Sequence, residues 1–285
     1  MQNNVSKALL RKQFAAIESP LKPEWIKVKI RQDKIKNVKE TIRSNRVVTV
    51  CEEAMCPNIS DCWAKSHATF MILGDICTRS CSFCNISTGK PNDVDIFEPL
   101  RVANSVKELN LSHVVITSVD RDDLEDGGAM HFLNTIKQIK LKCPKTTIEI
   151  LTPDFRNKTN PIQLLAECPI DVFNHNLETV SSLYKHVRPG ADYNHSLNIL
   201  RDIKKLNSSI FTKSGIMVGL GETFREILEL MNDLRENEVD FITIGQYLRP
   251  TKNHHPVVEY HKPEYFKKLY NEAVNRGFKI VSSSP

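Results

Sequence analysis

Between Ala68 and Leu248, short β-branched runs alternate with stretches of helical period, and this alternation constrains the fold more than any other feature. Strands are predicted at Ala68–Leu73, Val114–Val119, Thr147–Leu151, Val172–Asn176, Ile216–Leu220 and Phe241–Leu248. Helices are predicted at Phe97–Asn110, Ala129–Lys142, Asn160–Glu167, Val180–His186, His195–Leu206 and Thr223–Glu236, where apolar residues recur three or four apart. Thr223, just after Gly221, reads as an N-cap. A helix between each pair of strands carries the chain back across the sheet, so the strands run parallel. A further helix at Pro263–Arg276 and a short strand at Phe278–Ser282 close the chain, and 285 residues with 40% hydrophobic content suffice for one such domain. Polar or glycine-containing sequence follows nearly every strand: Ser118–Asp123, Thr152–Asp154, Glu178, Gly219–Glu222 and Arg249–Thr251. In a barrel these segments gather at the C-terminal mouth, where active sites lie.

Six of the eight cysteines fall between positions 51 and 84, in two triplets. Cys77, Cys81 and Cys84 sit within eight residues, directly after the first predicted strand. Cys51, Cys56 and Cys62 form a looser set upstream, with four and then five intervening residues. Thiolates select soft metals, chiefly zinc or the iron of iron–sulfur clusters. A structural zinc site closes with four protein ligands, whereas three thiolates on a four-iron cluster leave one iron open for a substrate or cofactor. One site shared by both triplets, or zinc held by four of the six, stays open on spacing alone. Such crowding in a long, lysine-rich chain fits metal ligands in a reducing cytoplasm better than disulfides. Cys143 and Cys168 stand apart, each before a proline, and read as small buried hydrophobes.

The net charge of +5 is too mild to argue for nucleic-acid binding. No run of about 18 apolar residues predicts a membrane-spanning helix. The first residues lack a secretory apolar core, and residues 1–17, with Lys7, Arg11 and Lys12 and no acid, lack the length and arginine content of an organelle transit peptide. Ile26–Arg46 carries eight Lys or Arg against Asp33 and Glu40, and reads as a solvated helical arm suited to an acidic partner.

The three-then-two spacing of Cys77, Cys81 and Cys84, with an aromatic at Phe83, resembles the signature of the radical S-adenosylmethionine (SAM) superfamily. With the upstream triplet and the segment Thr69–Arg79 that joins the two, the chain resembles the lipoyl synthase family. The likeness continues through Ser118–Leu124, Phe173–Thr179, Arg188–Tyr193 and Gly245–Leu248. It implies a partial parallel (β/α)6 barrel with an N-terminal cluster-binding extension and a short C-terminal extension. The expected divisions are a basic arm at 1–46, an auxiliary-cluster segment at 47–66, the barrel at 67–250 and the extension at 251–285. It also implies insertion of two sulfur atoms at C6 and C8 of an octanoyl chain amide-linked to a carrier lysine. The expected cofactors are S-adenosylmethionine and two [4Fe-4S] clusters, one on Cys77, Cys81 and Cys84 and a sulfur-donating one on Cys51, Cys56 and Cys62. The expected partners are octanoylated carrier domains (E2 subunits of 2-oxoacid dehydrogenases and the H protein of glycine cleavage), a ferredoxin or flavodoxin, and iron–sulfur assembly proteins.

Gly215–Glu222 matches the superfamily's glycine-rich strand element, which implies adenine contact for Met217, Gly219 and Gly221, with Phe83 packing nearby. Position at strand ends suggests Thr117 and Ser118 for the cofactor's amino-acid end, and Asn176 and Glu178 for ribose hydroxyls. Arg188 suits its carboxylate. The loop Asp120–Asp123 suits substrate positioning or a solvated turn, and His113 and His175 read as core histidines. Three departures stand out: Ser80 where the family often has Arg, Asn85 where it often has Asp, and an end at Ser282-Ser283-Ser284-Pro285, before the Arg-Ser-Ser-Tyr stretch whose serine completes the auxiliary cluster. Truncation is the favoured reading of that end; Ser282, Ser283 or Ser284 as substitute ligand, or an open auxiliary iron, are the others. A biotin synthase-like sulfur-inserting enzyme and a non-catalytic iron–sulfur or zinc module are the competing functions.

Overall fold

The computed structural model describes residues 13–26, 35–53, 68–156, 158 and 160–285. An eight-stranded sheet organises them, in the order β1 (Val48–Thr49), β2 (Thr69–Ile72), β5 (His113–Ser118), β6 (Thr147–Leu151), β7 (Val172–Asn174), β8 (Phe211–Val218), β9 (Phe241–Gln246) and β10 (Ile280–Ser284). All pairings are parallel except β1 with β2, and the sheet is open between β1 and β10. A separate parallel pair, β3 (Ile76–Cys77) and β4 (Ser87–Thr88), brackets the second cysteine triplet. No helix among the described residues is long and apolar enough to cross a membrane.

Helices α3 (Glu98–Glu108), α4 (Ala129–Lys142), α5 (Pro161–Ala166), α7 (Tyr193–Leu206), α8 (Phe224–Glu236) and α9 (Pro263–Asn275) connect the strands, with the single turn α6 (Tyr184–Val187) after β7. Each buries an apolar stripe, as in α8, where Ile227, Leu230, Met231 and Leu234 recur at helical spacing. Thr223 does cap α8: its hydroxyl accepts from the Glu226 amide, and the Glu226 carboxylate accepts from the Thr223 amide, a reciprocal capping box. The helix-facing side of the sheet carries Val114, Ile116, Ile148, Ile150, Phe173, Val218, Ile242 and Ile244, all buried. The predicted arm contains α1 (Ile35–Ser44), whose Val38 and Ile42 join the core, while residues 27–34 lie outside the described set.

The concave side is different in kind. Met71, Thr117, Leu151, Asn174 and Lys213 occupy successive register positions across β2, β5, β6, β7 and β8 and form one inner layer. Below it, Glu149 accepts from Lys213 Nζ at 2.9 Å and from Asn174 Nδ2 at 2.8 Å. Burial pushes this carboxyl up, but those bonds and His113 outweigh it and hold it at about 2. The ion pair explains why β8 begins at Phe211, five residues before the predicted Ile216: Lys213, Ser214 and Gly215 interrupt the apolar run.

Candidate active site

The loop from Cys77 to Cys84 lies at the C-terminal mouth, and its backbone is tied on several sides. The Thr78 amide donates to Asp120 O at 3.0 Å, Ser82 N to Val187 O at 3.0 Å, Gly89 N to Cys77 O at 3.0 Å, and His255 N to Ser82 O at 2.8 Å. Inside the loop, Arg79 is buried and faces three carboxylates. Its Nε and Nη2 donate to Asp122 at 2.8 and 2.6 Å, Nη2 lies 2.7 Å from Asp154, and Nη1 lies 3.4 Å from Asp120. This clamp fastens the loop to the ends of β5 and β6 and gives the charged 120–123 stretch its role. Arg121 is a separate staple, donating to Leu73 O, Asn92 O and Asp123.

Cys77, Cys81 and Cys84 open on a cavity of about 220 Å³ continuous with solvent. Of the residues assigned to cofactor contact, Phe83, Thr117, Ser118, Asn176, Glu178 and Arg188 share its lining. Met217, Gly219 and Gly221 are not in that lining. Met217 packs instead against a second apolar cluster of Val187, Leu220, Tyr247 and Val257, which Phe83 also touches from the cavity wall. Gly219 has a local reason to be glycine: φ is +97°, and a Cβ would overlap the Gln246 side chain and the Glu259 carbonyl. Cys51 lies in α2 (Val50–Glu53); Cys56 and Cys62 fall outside the described residues. Cys168 is buried, as expected, and donates to Leu164 O.

Wall residues that sequence reading did not assign to a ligand site include Val50, Thr152 and His175. A polar residue one step past β6 was the available signal for Thr152. The hydroxyl oxygens of Ser118 and Thr152 are both buried without a hydrogen-bond partner. Thr117, by contrast, donates to Leu151 O at 2.9 Å. Asn176 donates to Glu178 Oε1 at 3.1 Å, and Gly215 makes room for it, since a Cβ there would come within 2.7 Å of Asn176 Oδ1. Glu178 has a positive φ of 68°, uncommon for a non-glycine residue, and its amide and carbonyl bond to Gly215 and Met217 of β8.

Two backbone amides point at one sulfur: Arg79 N lies 3.4 Å and Asp120 N 3.3 Å from Cys77 Sγ, an arrangement that favours a thiolate. Burial, with Asp120 adding to it, nevertheless pushes the Cys77 thiol up to about 12, and burial also raises Cys81 and Cys84. Deprotonation of all three therefore calls for the positive charge of a bound metal. No three His, Cys, Asp or Glu side chains among the described residues converge on a single metal ion. Ligands of a cluster each meet a different iron and need not converge.

Fold and site together define an open parallel α/β barrel with a soft-ligand triplet and a ligand cavity at its C-terminal mouth. The sequence model of the radical SAM superfamily matches residues 71–234, more than half of the chain, and the chain belongs to that superfamily. Solved structures of similar fold include methylornithine synthase PylB, 12% identical over 96% of this chain and 85% of that one, with a TM-score of 0.57. Streptococcus suis SuiB bound to S-adenosylmethionine is 13% identical over 80% of this chain, with a TM-score of 0.61, and this chain spans only 53% of its length. HydG, the FeFe-hydrogenase maturase from Carboxydothermus hydrogenoformans, is 14% identical over 88% of this chain and 70% of that one, with a TM-score of 0.59. At these identities the likeness establishes the fold. Family membership implies a [4Fe-4S] cluster and S-adenosylmethionine, and the residues present fit both: three cysteines on one cavity, two amides aimed at a sulfur, and two orphaned hydroxyls in the wall.

Proposed function

We propose that the chain is a lipoyl synthase, inserting sulfur at C6 and C8 of an octanoyl group amide-linked to a lysine of a carrier domain. The observation that carries this reading is the upstream triplet in the sequence, together with the position of its first member, Cys51, in the chain. Cys51 follows Val50, which lines the cavity, and Asn85, one residue after Cys84, donates from Nδ2 to the Glu53 carbonyl at 3.2 Å. That Cys51 directly follows a residue lining the cavity that the first triplet faces supports this reading. The Asn85 bond needs an amide donor, so this departure from the family's usual Asp has a local consequence.

A cluster on Cys77, Cys81 and Cys84 with S-adenosylmethionine supplies reductive cleavage of the sulfonium and abstraction of hydrogen from an unactivated carbon. The residues of the chain bind and orient around that chemistry. Ser118 and Thr152 offer hydroxyls to the cofactor's polar end, Arg188 a guanidinium to its carboxylate, and Asn176 and Glu178 acceptors to ribose. Cys51, Cys56 and Cys62 would hold the second cluster, a consumed substrate that donates sulfur. Each insertion would replace one C–H by one C–S bond: the hydrogen would leave on 5′-deoxyadenosine, and the electron released as sulfide bonds to the carbon radical would be taken up by iron of the cluster that gives up the sulfide. A ferredoxin or flavodoxin supplies the electrons, assembly proteins restore the cluster, and the basic 26–46 arm docks the acidic carrier. Residues 47–66 form the auxiliary segment in this scheme and 67–250 the barrel.

The test is anaerobic reconstitution with iron and sulfide counting, then incubation with S-adenosylmethionine, dithionite and an octanoylated carrier peptide. Cys81→Ala abolishes 5′-deoxyadenosine formation, whereas Cys56→Ala retains it but yields no thiolated peptide. One four-iron cluster per wild-type chain, or sulfur insertion by both variants, sinks the proposal.

A further inference from the structure

Arg188 is buried in the cavity wall, and among the described residues only its Nη1 is engaged by protein. Nη1 donates to the Asn176 carbonyl at 2.8 Å and to the Tyr184 hydroxyl oxygen at 2.7 Å. Tyr184, having accepted from arginine, donates its own proton to Ser196 Oγ at 3.0 Å. Ser196 lies 3.1 Å from His175 Nε2, and His175 Nδ1 lies 2.9 Å from the Thr152 carbonyl. Every direction in this chain is forced. A carbonyl only accepts, so Nδ1 carries the imidazole proton. Burial and the nearby Arg188 hold His175 down at about 4, so the ring is neutral near pH 7 and Nε2 accepts from the Ser196 hydroxyl. Tyr184, Ser196 and His175 are all buried, and the Ser196 and Tyr184 hydroxyls have no other side-chain partner among the described residues. The Tyr184 ring also lies against the guanidinium, 5.3 Å from its carbon.

We infer that His175, Ser196 and Tyr184 are positioning residues that lock the guanidinium of Arg188 in one orientation, presenting its remaining donors to a carboxylate-bearing ligand in the cavity. The chain spans the Thr152 loop, β7, α6 and α7, so four elements set one side chain. A fork fixed beforehand gives up little freedom on binding, and its geometry matches a carboxylate. The inference rests on the reading that the cavity takes S-adenosylmethionine with its carboxylate at Arg188.

The test measures binding to the anaerobically reconstituted enzyme by calorimetry, using S-adenosylmethionine and 5′-methylthioadenosine, which lacks the amino-acid end. Tyr184→Phe keeps the ring but removes the link, and Ser196→Ala cuts the chain one step further back. Both weaken S-adenosylmethionine, Tyr184→Phe by roughly ten-fold or more, the effect of one hydrogen bond to a charged group. Neither changes the Kd of 5′-methylthioadenosine. If Arg188→Gln loses S-adenosylmethionine selectively while the two relay variants bind as wild type, or weaken both ligands equally, the relay is overturned and the carboxylate reading stands. If Arg188→Gln weakens both ligands equally, the carboxylate reading itself fails. Should Tyr184→Phe not fold, Ser196→Ala decides alone.

Discussion

Replacing Arg79 by Gln tests whether one cation holds the cluster loop. The guanidinium is 9% exposed, and its three partners differ: Asp154 is 1% exposed, Asp120 22% and Asp122 41%. Arg79→Gln leaves all three carboxylates facing each other, two of them largely out of water. Stripping the partner from a buried charge costs about 3–5 kcal/mol. Burial and its acidic neighbours Asp154 and Asp122 already raise Asp120, against Arg79, so Asp120 takes up a proton when the cation is lost, which places the cost near the lower end. Asp122→Asn removes only a half-exposed partner and costs about 1 kcal/mol or less. Asp154→Asn removes a buried charge-assisted bond and costs about 1.5–3 kcal/mol. In the double variant Arg79→Gln/Asp154→Asn, the two losses sum to less than their separate values, because the charge that Arg79→Gln strands is gone. The assay is urea unfolding of the iron-free, reduced chain, paired with iron bound per chain after reconstitution. An Arg79→Gln cost under about 1 kcal/mol, or an Asp122→Asn cost equal to it, refutes the clamp.

Glu149→Gln destabilises the chain by about 3 kcal/mol at pH 7, from a carboxyl held at about 2 against an ordinary 4.5 at ~1.4 kcal/mol per pH unit. Because the folded value is depressed, this stabilisation is complete above pH 4.5 and is lost as pH falls toward 2, so the wild-type advantage in denaturant midpoint should shrink only across that window. Gly219→Ala lowers the melting temperature by several degrees, since it adds a Cβ at positive φ into Gln246 and Glu259; an unchanged melting temperature contradicts the packing given for this turn. Thr152→Val, nearly isosteric, weakens S-adenosylmethionine binding several-fold in calorimetry with unchanged stability, because the hydroxyl it removes has no protein partner.

The six predicted strands and the helices between them were legible because a buried parallel sheet demands apolar runs broken by helical periodicity. The start of β8 was not, since Lys213 and Ser214 read as loop until Glu149 is known to lie opposite. The same holds for the mouth. Cysteine spacing marks the cluster loop from sequence, but that Arg79 answers to Asp122 and Asp154 depends on contacts 43 or more residues away. Tyr184 and Ser196 carry no motif at all: Tyr184 reaches Arg188 through the i, i+4 spacing of α6, and only the contact between α6 and α7 brings Ser196 to Tyr184. The glycines of the β8 turn have a further reason that no motif reveals. Their motif reads as close approach by a ligand, while at Gly219 the close approach is by Gln246 and Glu259 of the chain itself.

Two arginines stand at this mouth, and their partners divide their roles. Arg79 meets three carboxylates, so its charge is more than cancelled within the protein. Arg188 meets a carbonyl and a phenol, and no carboxylate lies within ion-pair distance of it among the described residues. A buried cation with no anion in direct contact, held only by the more distant charges of Glu178 and Asp154, is further stabilised when an anion arrives. Ser118 and Thr152, whose buried hydroxyls have no protein partner, belong to the same wall. An anionic, multiply accepting group therefore gains most near Arg188, while the neighbourhood of Arg79 and Asp120, already rich in negative charge, repels it. A ligand with a carboxylate at one end has one favoured way to lie in this cavity, with that end toward Arg188.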